Sequence, residues 1–195
     1  GLDYDEYVTK HIIQKLGMER TAPDYSQEKK DWLAKGYSRP IPNKERGAFS
    51  HSETKAYAPA TGFLSNISDL SKYITALSIK RKGVNTLISD ESKKEIIKEY
   101  WATGEENESY GLGFSIYKIG ERKIVGHSGG FAGFITQIAL DVENDIGVIS
   151  LTNTNDYSCG SINNGIFETI YKFIDEKSKY CDGDKILHQE KFEGV

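Results

Sequence analysis

The residues best placed to do chemistry in this sequence form one continuous tetrapeptide, His127, Ser128, Gly129 and Gly130. A histidine can bind a carboxylate or move a proton, and a serine hydroxyl can hydrogen-bond the same substrate. The glycines would let a ligand approach the backbone closely. Because strand-forming runs at 123–125 and 134–140 flank the tetrapeptide, the pattern predicts an edge strand that faces a substrate. A glycine-rich hairpin turn with a surface histidine is the alternative interpretation.

Three other segments accompany the tetrapeptide. They are L-G-M-E-R-T at 16–21, A-P-A-T-G-F-L-S-N-I-S-D-L at 58–70 and Y-G-L-G-F at 110–114. In this order the four segments resemble the serine β-lactamase and penicillin-binding protein family, most closely class C β-lactamases, D-Ala-D-Ala carboxypeptidases and β-lactamase-like esterases. In that family L-G-M-x-x-T follows a helix, a P-A-G-G-like run leads into a helix beginning S-x-x-D-L, and H-x-G-G stands in for the K-T-G motif on the strand lining the active site.

The resemblance covers roughly residues 1–175 and implies an α+β fold. We expect part of a β-lactamase/transpeptidase-like architecture, in which an antiparallel sheet packs with helices beside part of a helical subdomain. Residues 1–105 would belong to the helical subdomain, with a long loop bordering the cleft. Residues 106–195 would supply the antiparallel strands and the C-terminal helix.

The resemblance also implies that the nucleophile is missing. In the family, the serine of an S-x-x-K motif and a Y-x-N or S-x-N motif both precede the L-G-M region, so we expect this chain to be the C-terminal portion of a longer serine hydrolase, inactive alone. Three S-x-x-K strings begin at Ser26, Ser52 and Ser115. Ser26 lies in a polar loop, Ser52 lies just before Pro59, and Ser115 lies in a strand-like run. The mechanism needs a lysine desolvated on a buried helix, so we expect all three to be coincidental.

The implied chemistry is acyl transfer through a serine ester on a β-lactam, D-Ala-peptide or ester substrate. His127 and Ser128 would hold the substrate carboxylate or relay a proton, and the Gly130 N–H would be an oxyanion donor worth about 3–4 kcal/mol. Gly129 and Tyr110 would bind substrate. Because histidine is mostly neutral at pH 7, the tetrapeptide favours peptidase or esterase-like activity over antibiotic hydrolysis. The alternative function is a non-catalytic module of the same fold that binds peptidoglycan-like peptides or a protein partner.

Composition and residue spacing bear on which other binding partners the chain could have. A net charge of −4 with no basic stripe argues against nucleic acid, and no apolar run approaches the ~20 residues that span a bilayer. The spacing of Cys, His, Asp and Glu predicts no metal, and we expect no cofactor. Cys159 and Cys181 could form one disulfide or remain two thiols. We expect self-association or a companion N-terminal fragment. The family suggests a bacterial, extracytoplasmic or membrane-anchored parent, although the sequence itself does not give the compartment.

Local signals predict the first elements. Asp3 with Glu6 is typical of a capping box, and Gly17 of a helix end, so the first helix lies between them. Residues 22–56 read as a long polar loop with a short strand near Tyr37, and His51 is expected at its surface. Asn66 should cap a second helix, with a core-facing stripe at Ile67, Leu70, Ile74 and Leu77.

Further along the chain, Ser89 should start a third helix. Strands are predicted at 112–119, 123–125, 134–140 and 147–152, and their short connections allow only antiparallel pairing. A closing helix at about 161–176 should cover one face of the sheet. Its expected apolar face is Ile162, Ile166, Phe167, Ile170, Phe173 and Ile174.

Overall fold

A computed structural model of the chain describes residues 1–81, 87–105 and 107–181, with side chains described up to residue 176. The first helix comprises α1 (Tyr4–Val8), a π-helical stretch (Thr9–Ile13) and α2 (Gln14–Leu16). The Glu6 backbone N–H donates to the Asp3 carboxylate at 2.8 Å, so the predicted N-cap is confirmed. Gly17 ends the helix with φ 63°, a left-handed conformation that glycine adopts without strain.

Helices α3 (Ile67–Leu77) and α4 (Asp90–Ile96) begin at their predicted caps, Asn66 and Ser89. The predicted apolar stripe of α3 is only partly correct. Ile74 is buried, but Ile67 is 48% exposed and Asp69 is buried. A carboxylate can occupy that interior position because several donors surround it, as described below.

The long loop has more structure than its polar composition indicates. A 3-10 helix (Gln27–Trp32) lies within it, and the segment leading to α3 contains a 3-10 turn (Lys55–Tyr57) and a π-helical turn (Ala58–Gly62). The strand predicted near Tyr37 is reduced to single bridges from Tyr37 to Ala48 and Thr154.

The described residues form a six-stranded antiparallel sheet with the strands in chain order. The strands are β1 (Trp101–Ala102), β2 (Glu108–Tyr110), β3 (Ser115–Ile119), β4 (Arg122–Phe131), β5 (Phe134–Asp141) and β6 (Ile146–Thr152). The tetrapeptide at 127–130 lies inside β4, so the alternative interpretation as a hairpin turn is wrong. The turn that joins β4 to β5 falls instead at Ala132 and Gly133, both with positive φ.

Helix α5 (Cys159–Cys181) packs on one face of the sheet through Phe167 and Tyr171, which join a buried cluster with Ile124, Ala139 and Val148. The predicted apolar face of this helix is partly wrong, because three of its members are at least 40% exposed: Ile162, Ile166 and Phe173. The inward-facing row is Asn163, Phe167 and Tyr171, at four-residue spacing. Asn163 is tolerated there because Ser150 donates a hydrogen bond to its side-chain oxygen.

The two cysteines stand at opposite ends of α5, about 33 Å apart at 1.5 Å per residue, so they cannot pair with each other within one chain. Cys159 is a buried free thiol. Within the described part of the chain, no helix combines the length and apolar character needed to cross a membrane.

Candidate functional site

The antiparallel strands bring Tyr110 and His127 into contact across 17 residues of sequence. The Tyr110 hydroxyl lies 2.6 Å from Nε2 of His127, and the two rings meet edge-on with centroids 6.1 Å apart. His127 Nδ1 lies 2.6 Å from the Ser128 carbonyl oxygen. Because a carbonyl only accepts, Nδ1 carries the proton, and in the neutral ring Nε2 accepts from the tyrosine. The pair is thus arranged to pass a proton between the imidazole and the phenol.

Strand β4 lies between β3 and β5, so it is not the predicted edge strand, but one of its edges is open where the tetrapeptide lies. Its pairing with β3 stops at Gly126, which stands opposite Ser115, whereas its pairing with β5 continues to Phe131. The Ser115 hydroxyl donates to the Gly126 carbonyl at 3.0 Å, which places that carbonyl on the β3 side. Since backbone groups alternate sides along a strand, the N–H groups of Ser128 and Gly130 point to the same open side. They can donate to a ligand.

The two glycines differ in what a side chain would meet. A Cβ at Gly129 would approach the Thr136 hydroxyl oxygen to 2.7 Å, whereas a Cβ at Gly130 would come to 3.2 Å from Cδ1 of Ile135. Neither residue has a positive φ. A side chain at Gly129 would therefore displace the Thr136 hydroxyl, whereas one at Gly130 would require only a small shift of Ile135. All four members of the tetrapeptide are exposed.

A buried carboxylate, Asp69, joins two of the sequence motifs. Asp69 accepts hydrogen bonds from the Arg20 backbone N–H at 2.7 Å and from the Thr21 hydroxyl at 2.9 Å. Because the Thr21 proton is used in this way, the Ser65 hydroxyl is the donor in its 2.8 Å contact with Thr21. Burial alone would raise the pKa of Asp69, but hydrogen bonds from Arg20, Thr21 and Lys72 outweigh it and hold the pKa below its ordinary value.

Sequence reasoning did not identify this role for Asp69. The available signal was its place in the S-x-x-D-L run, which was read only as part of a helix start. The carboxylate ties L-G-M-E-R-T to the start of α3, so these motif residues have a structural function.

The long loop packs tightly on the β4–β5 hairpin. A Cβ at Gly36 would lie 2.2 Å from the Ala132 carbonyl oxygen, and one at Gly133 would lie 2.6 Å from the Tyr37 nitrogen. The Tyr37 N–H donates to the Asn153 carbonyl at 2.9 Å. His51, predicted at the surface, is half-buried against Phe134. The loop therefore forms a wall beside the far end of β4.

The three S-x-x-K strings occupy different settings. Ser26 immediately precedes the 3-10 helix, and Lys29 donates to its hydroxyl at 3.1 Å, a contact that sequence analysis did not anticipate. Lys29 is half-exposed, so it lacks the desolvation that activates such a lysine. Ser52 is exposed in the loop, and Ser115 lies in β3 with its hydroxyl bonded to Gly126.

The site lies apart from a cavity near the start of the chain. A cavity of about 870 Å³ opens between the first turn of α1 and the loop, and its lining is mixed in charge, with Glu6, Lys10 and Lys55 among its residues. None of the tetrapeptide residues lines it. Among the described residues, no group of three or more His, Cys, Asp or Glu side chains comes together in a way that could hold a metal ion.

Several solved structures share this fold. The octameric penicillin-binding protein homologue from Pyrococcus abyssi is 27% identical, with a TM-score of 0.72 over 88% of this chain and 38% of that chain. The β-lactamase/D-alanine carboxypeptidase from Pseudomonas syringae is 16% identical, with a TM-score of 0.65 over 84% and 52%. The D-stereospecific amidohydrolase from Streptomyces sp. is 19% identical, with a TM-score of 0.62 over 78% and 44%.

This chain therefore spans between 38% and 52% of the length of these structures. The similarity confirms the predicted α+β, β-lactamase/transpeptidase-like fold. A search of curated proteins gave no significant match. The family described as Beta-lactamase matches residues 1–163, far more than half of the 195 residues. The chain belongs to the beta-lactamase family.

Proposed function

We propose that this chain forms one wall of the active site of an acyl-serine hydrolase whose substrates are D-Ala peptides, β-lactams or esters. The observation that carries the proposal is the open edge of β4, where the Gly130 N–H faces outward and His127 is bonded to Tyr110. The nucleophilic serine and its lysine would come from polypeptide outside these 195 residues, and the partial coverage of the neighbouring structures supports this division.

Each edge residue has a distinct part in this proposal. The Ser128 hydroxyl donates to the substrate carboxylate, and the Tyr110 hydroxyl can do so when Nε2 of His127 is protonated and donates to the tyrosine oxygen. His127 orients Tyr110 through Nε2 and stores or returns a proton. The Gly130 N–H stabilises the oxyanion of the tetrahedral intermediate, for which one donor is worth about 3–4 kcal/mol. Gly129 keeps the strand free of a side chain between these groups.

The first test asks whether the 195-residue chain is inactive alone. The chain is incubated with a fluorescent penicillin and a chromogenic ester, and labelling is measured by intact-mass spectrometry. We expect no stoichiometric adduct and no ester turnover, because Lys29 is half-exposed and both Ser52 and Lys55 are exposed, so neither lysine is buried beside its serine. A Ser26→Ala variant is the matched control. An adduct on wild-type chain that is lost in this variant would place the nucleophile at Ser26 and contradict the proposal.

The second test uses the parent enzyme with its upstream segment. His127→Ala should lower kcat/KM at least tenfold with an unchanged Tm, because the exposed imidazole has little packing to lose. Gly130→Val should lower it further, because a branched side chain beside Ile135 would cover the oxyanion donor. Full activity of His127→Ala would remove the tetrapeptide from the mechanism.

A binding module without chemistry is the second candidate function. It is favoured by the same open edge, since a strand without a neighbour can pair with an extended peptide. Assays of the parent enzyme distinguish the two candidate functions. Turnover that is lost in the His127→Ala variant supports hydrolysis, whereas peptide binding without turnover supports the module.

We also propose that the chain self-associates or holds a companion fragment through the exposed side of α5. Ile162 and Ile166 are 41% and 40% exposed on adjacent turns, although both are large and apolar. The Pyrococcus abyssi homologue is described as octameric. Ile166→Lys should reduce the mass measured by light scattering and the binding of a hydrophobic dye. A wild-type chain that is strictly monomeric and binds no dye would contradict this.

A further inference from the structure

The long loop carries a narrow protrusion between residues 36 and 49. Backbone hydrogen bonds join its two arms, since the Ser38 N–H donates to the Gly47 carbonyl at 2.8 Å and the Phe49 N–H donates to the Gly36 carbonyl at 2.9 Å. Every residue from 39 to 46 is exposed. We name residues 39–46 the loop tip. It projects beyond the two joined arms.

A tight turn forms the apex of the loop tip. The Lys44 N–H donates to the Ile41 carbonyl at 3.1 Å. Pro42 occupies the second position of this turn, and Asn43 occupies the third with φ 61°. Proline followed by a left-handed residue at these positions is typical of a type II turn. The first and fourth residues of such a turn lie within about 7 Å of each other, so Ile41 and Lys44 stand side by side at the apex.

Two arginines fix the base of the loop tip to the segment that follows β6. Arg39 Nε donates to the Asn155 carbonyl at 3.1 Å. Arg46 donates to the Thr154 hydroxyl at 3.0 Å and forms a salt bridge with Asp156. Because both ends of the tip are bonded to one distant segment, its direction is fixed while its apex stays open to solvent.

Ile41 is the apolar group at this apex, and it is 53% exposed. A single exposed apolar residue is common on protein surfaces. This one, however, stands between Pro40 and Pro42, which restrict the backbone on either side of it. A side chain held in this way loses little conformational freedom when it binds, so the tip presents Ile41 in a preorganised form.

Positive charge surrounds the apex in a chain that is acidic overall. Residues 35–46 include four basic side chains and one acidic side chain, whereas the whole chain has a net charge of −4. Asp156 neutralises Arg46. The other basic side chains of this segment keep their charge for a partner: Lys35, Arg39 and Lys44. This asymmetry favours a partner with negative charge.

We infer that the loop tip docks on an anionic lipid surface, where Ile41 enters the boundary between headgroups and acyl chains while Arg39 and Lys44 face lipid phosphates. A soluble polyanion would be held by the cations and would gain nothing from Ile41. A convex apex offers no groove to a peptide. A lipid surface is negatively charged on the outside and apolar just below, so it matches both features of the tip. Such docking goes beyond the proposed hydrolysis and does not depend on it.

Docking through this tip is weak and reversible. Each basic side chain near an anionic membrane strengthens binding about fivefold. An isoleucine that buries about half of its surface adds a similar factor. Because the long loop packs on the β4–β5 turn at Gly133, the docked tip would set the orientation of the open edge of β4 relative to the lipid.

The test is sedimentation of the full 195-residue chain with lipid vesicles at low and high salt. The vesicles contain phosphatidylcholine alone or phosphatidylcholine mixed with phosphatidylglycerol. The variants are Lys44→Glu and Ile41→Ser. The matched controls make the same replacements at exposed positions elsewhere, Lys118→Glu in β3 and Ile67→Ser at the start of α3, where the isoleucine is 48% exposed. Circular dichroism verifies that each variant is folded.

We expect the wild-type chain to bind the anionic vesicles, more weakly at high salt, and to leave the neutral vesicles unbound. Lys44→Glu should lower the partition coefficient about tenfold or more and Ile41→Ser about fivefold, while each control changes it less than about twofold. Absence of binding by the wild-type chain would overturn the inference, as would an equal loss in the controls. If Lys44→Glu weakens binding but Ile41→Ser does not, the tip only attracts anions and lipid docking is wrong.

Discussion

Replacement of Asp69 should be among the most damaging single changes to this fold. The side chain is 3% exposed and its Oδ2 accepts from both Arg20 and Thr21. Hydrogen bonds to a charged acceptor contribute about 1.5–3 kcal/mol each. Lys72 adds a 3.2 Å ion pair, but it is 39% exposed, so its contribution is at most about 1 kcal/mol.

We therefore expect Asp69→Ala to lower the free energy of unfolding by about 3–5 kcal/mol, because the Arg20 N–H and the Thr21 hydroxyl lose their acceptor in the interior. Asp69→Asn keeps an oxygen where both donors point and should cost about 1–2 kcal/mol. Urea unfolding followed by tryptophan fluorescence measures both. Asp31→Ala, at an exposed position, is the matched control.

The same carboxylate predicts a pH dependence. The pKa of Asp69 is lowered in the folded chain, so its contribution to stability is complete above the unfolded pKa of about 3.9. That contribution is lost as the pH falls through the lower folded pKa. The difference in the free energy of unfolding between wild type and Asp69→Ala should therefore decrease as the pH falls through the folded pKa. A loss below about 1 kcal/mol for Asp69→Ala at pH 7, with an unchanged urea dependence, would refute the role of this carboxylate as a buried acceptor.

Two further predictions concern the sheet. Tyr171→Phe should lower the free energy of unfolding by about 1.5–3 kcal/mol at pH 7, because the buried tyrosine hydroxyl donates to Asp141 at 2.6 Å. Burial alone would raise the pKa of Asp141, but its hydrogen bonds, that from Tyr171 foremost, hold the pKa below its ordinary value. The stability lost in Tyr171→Phe should therefore decrease as the pH falls through that pKa, as measured by urea unfolding. A loss of stability that does not change with pH would contradict this. Gly133→Ala should lower the Tm clearly more than Gly104→Ala. Both glycines have positive φ, but only the Gly133 Cβ would meet other atoms, at 2.6 Å, and equal Tm values would contradict the close packing of the loop.

The helix starts and four of the six strands in the described residues could be predicted because their signals are local, although β1 and β2 were not predicted and β4 is longer than the run predicted at 123–125. Asp3 and Asn66 cap helices through hydrogen bonds to backbone groups three residues away. Gly17 ends a helix through its own φ. Strand-forming residues with two-residue turns specify antiparallel neighbours without reference to the rest of the molecule. The order of four short motifs was likewise sufficient to indicate the beta-lactamase family, which the family match confirms.

Burial and contact could not be predicted in the same way, because they depend on partners distant in sequence. Asp69 was interpreted only as part of a helix start, yet donors 48 and 49 residues away make it an interior residue. The contact of His127 with Tyr110 depends on the register of two hairpins. The rings of Tyr25, His51 and Phe134 come together only after the loop has folded onto β5. The sequence determines which local elements form, whereas the packing of those elements decides which side chains share a site, because hydrogen bonds and apolar contacts between distant segments form only once the chain has closed on itself.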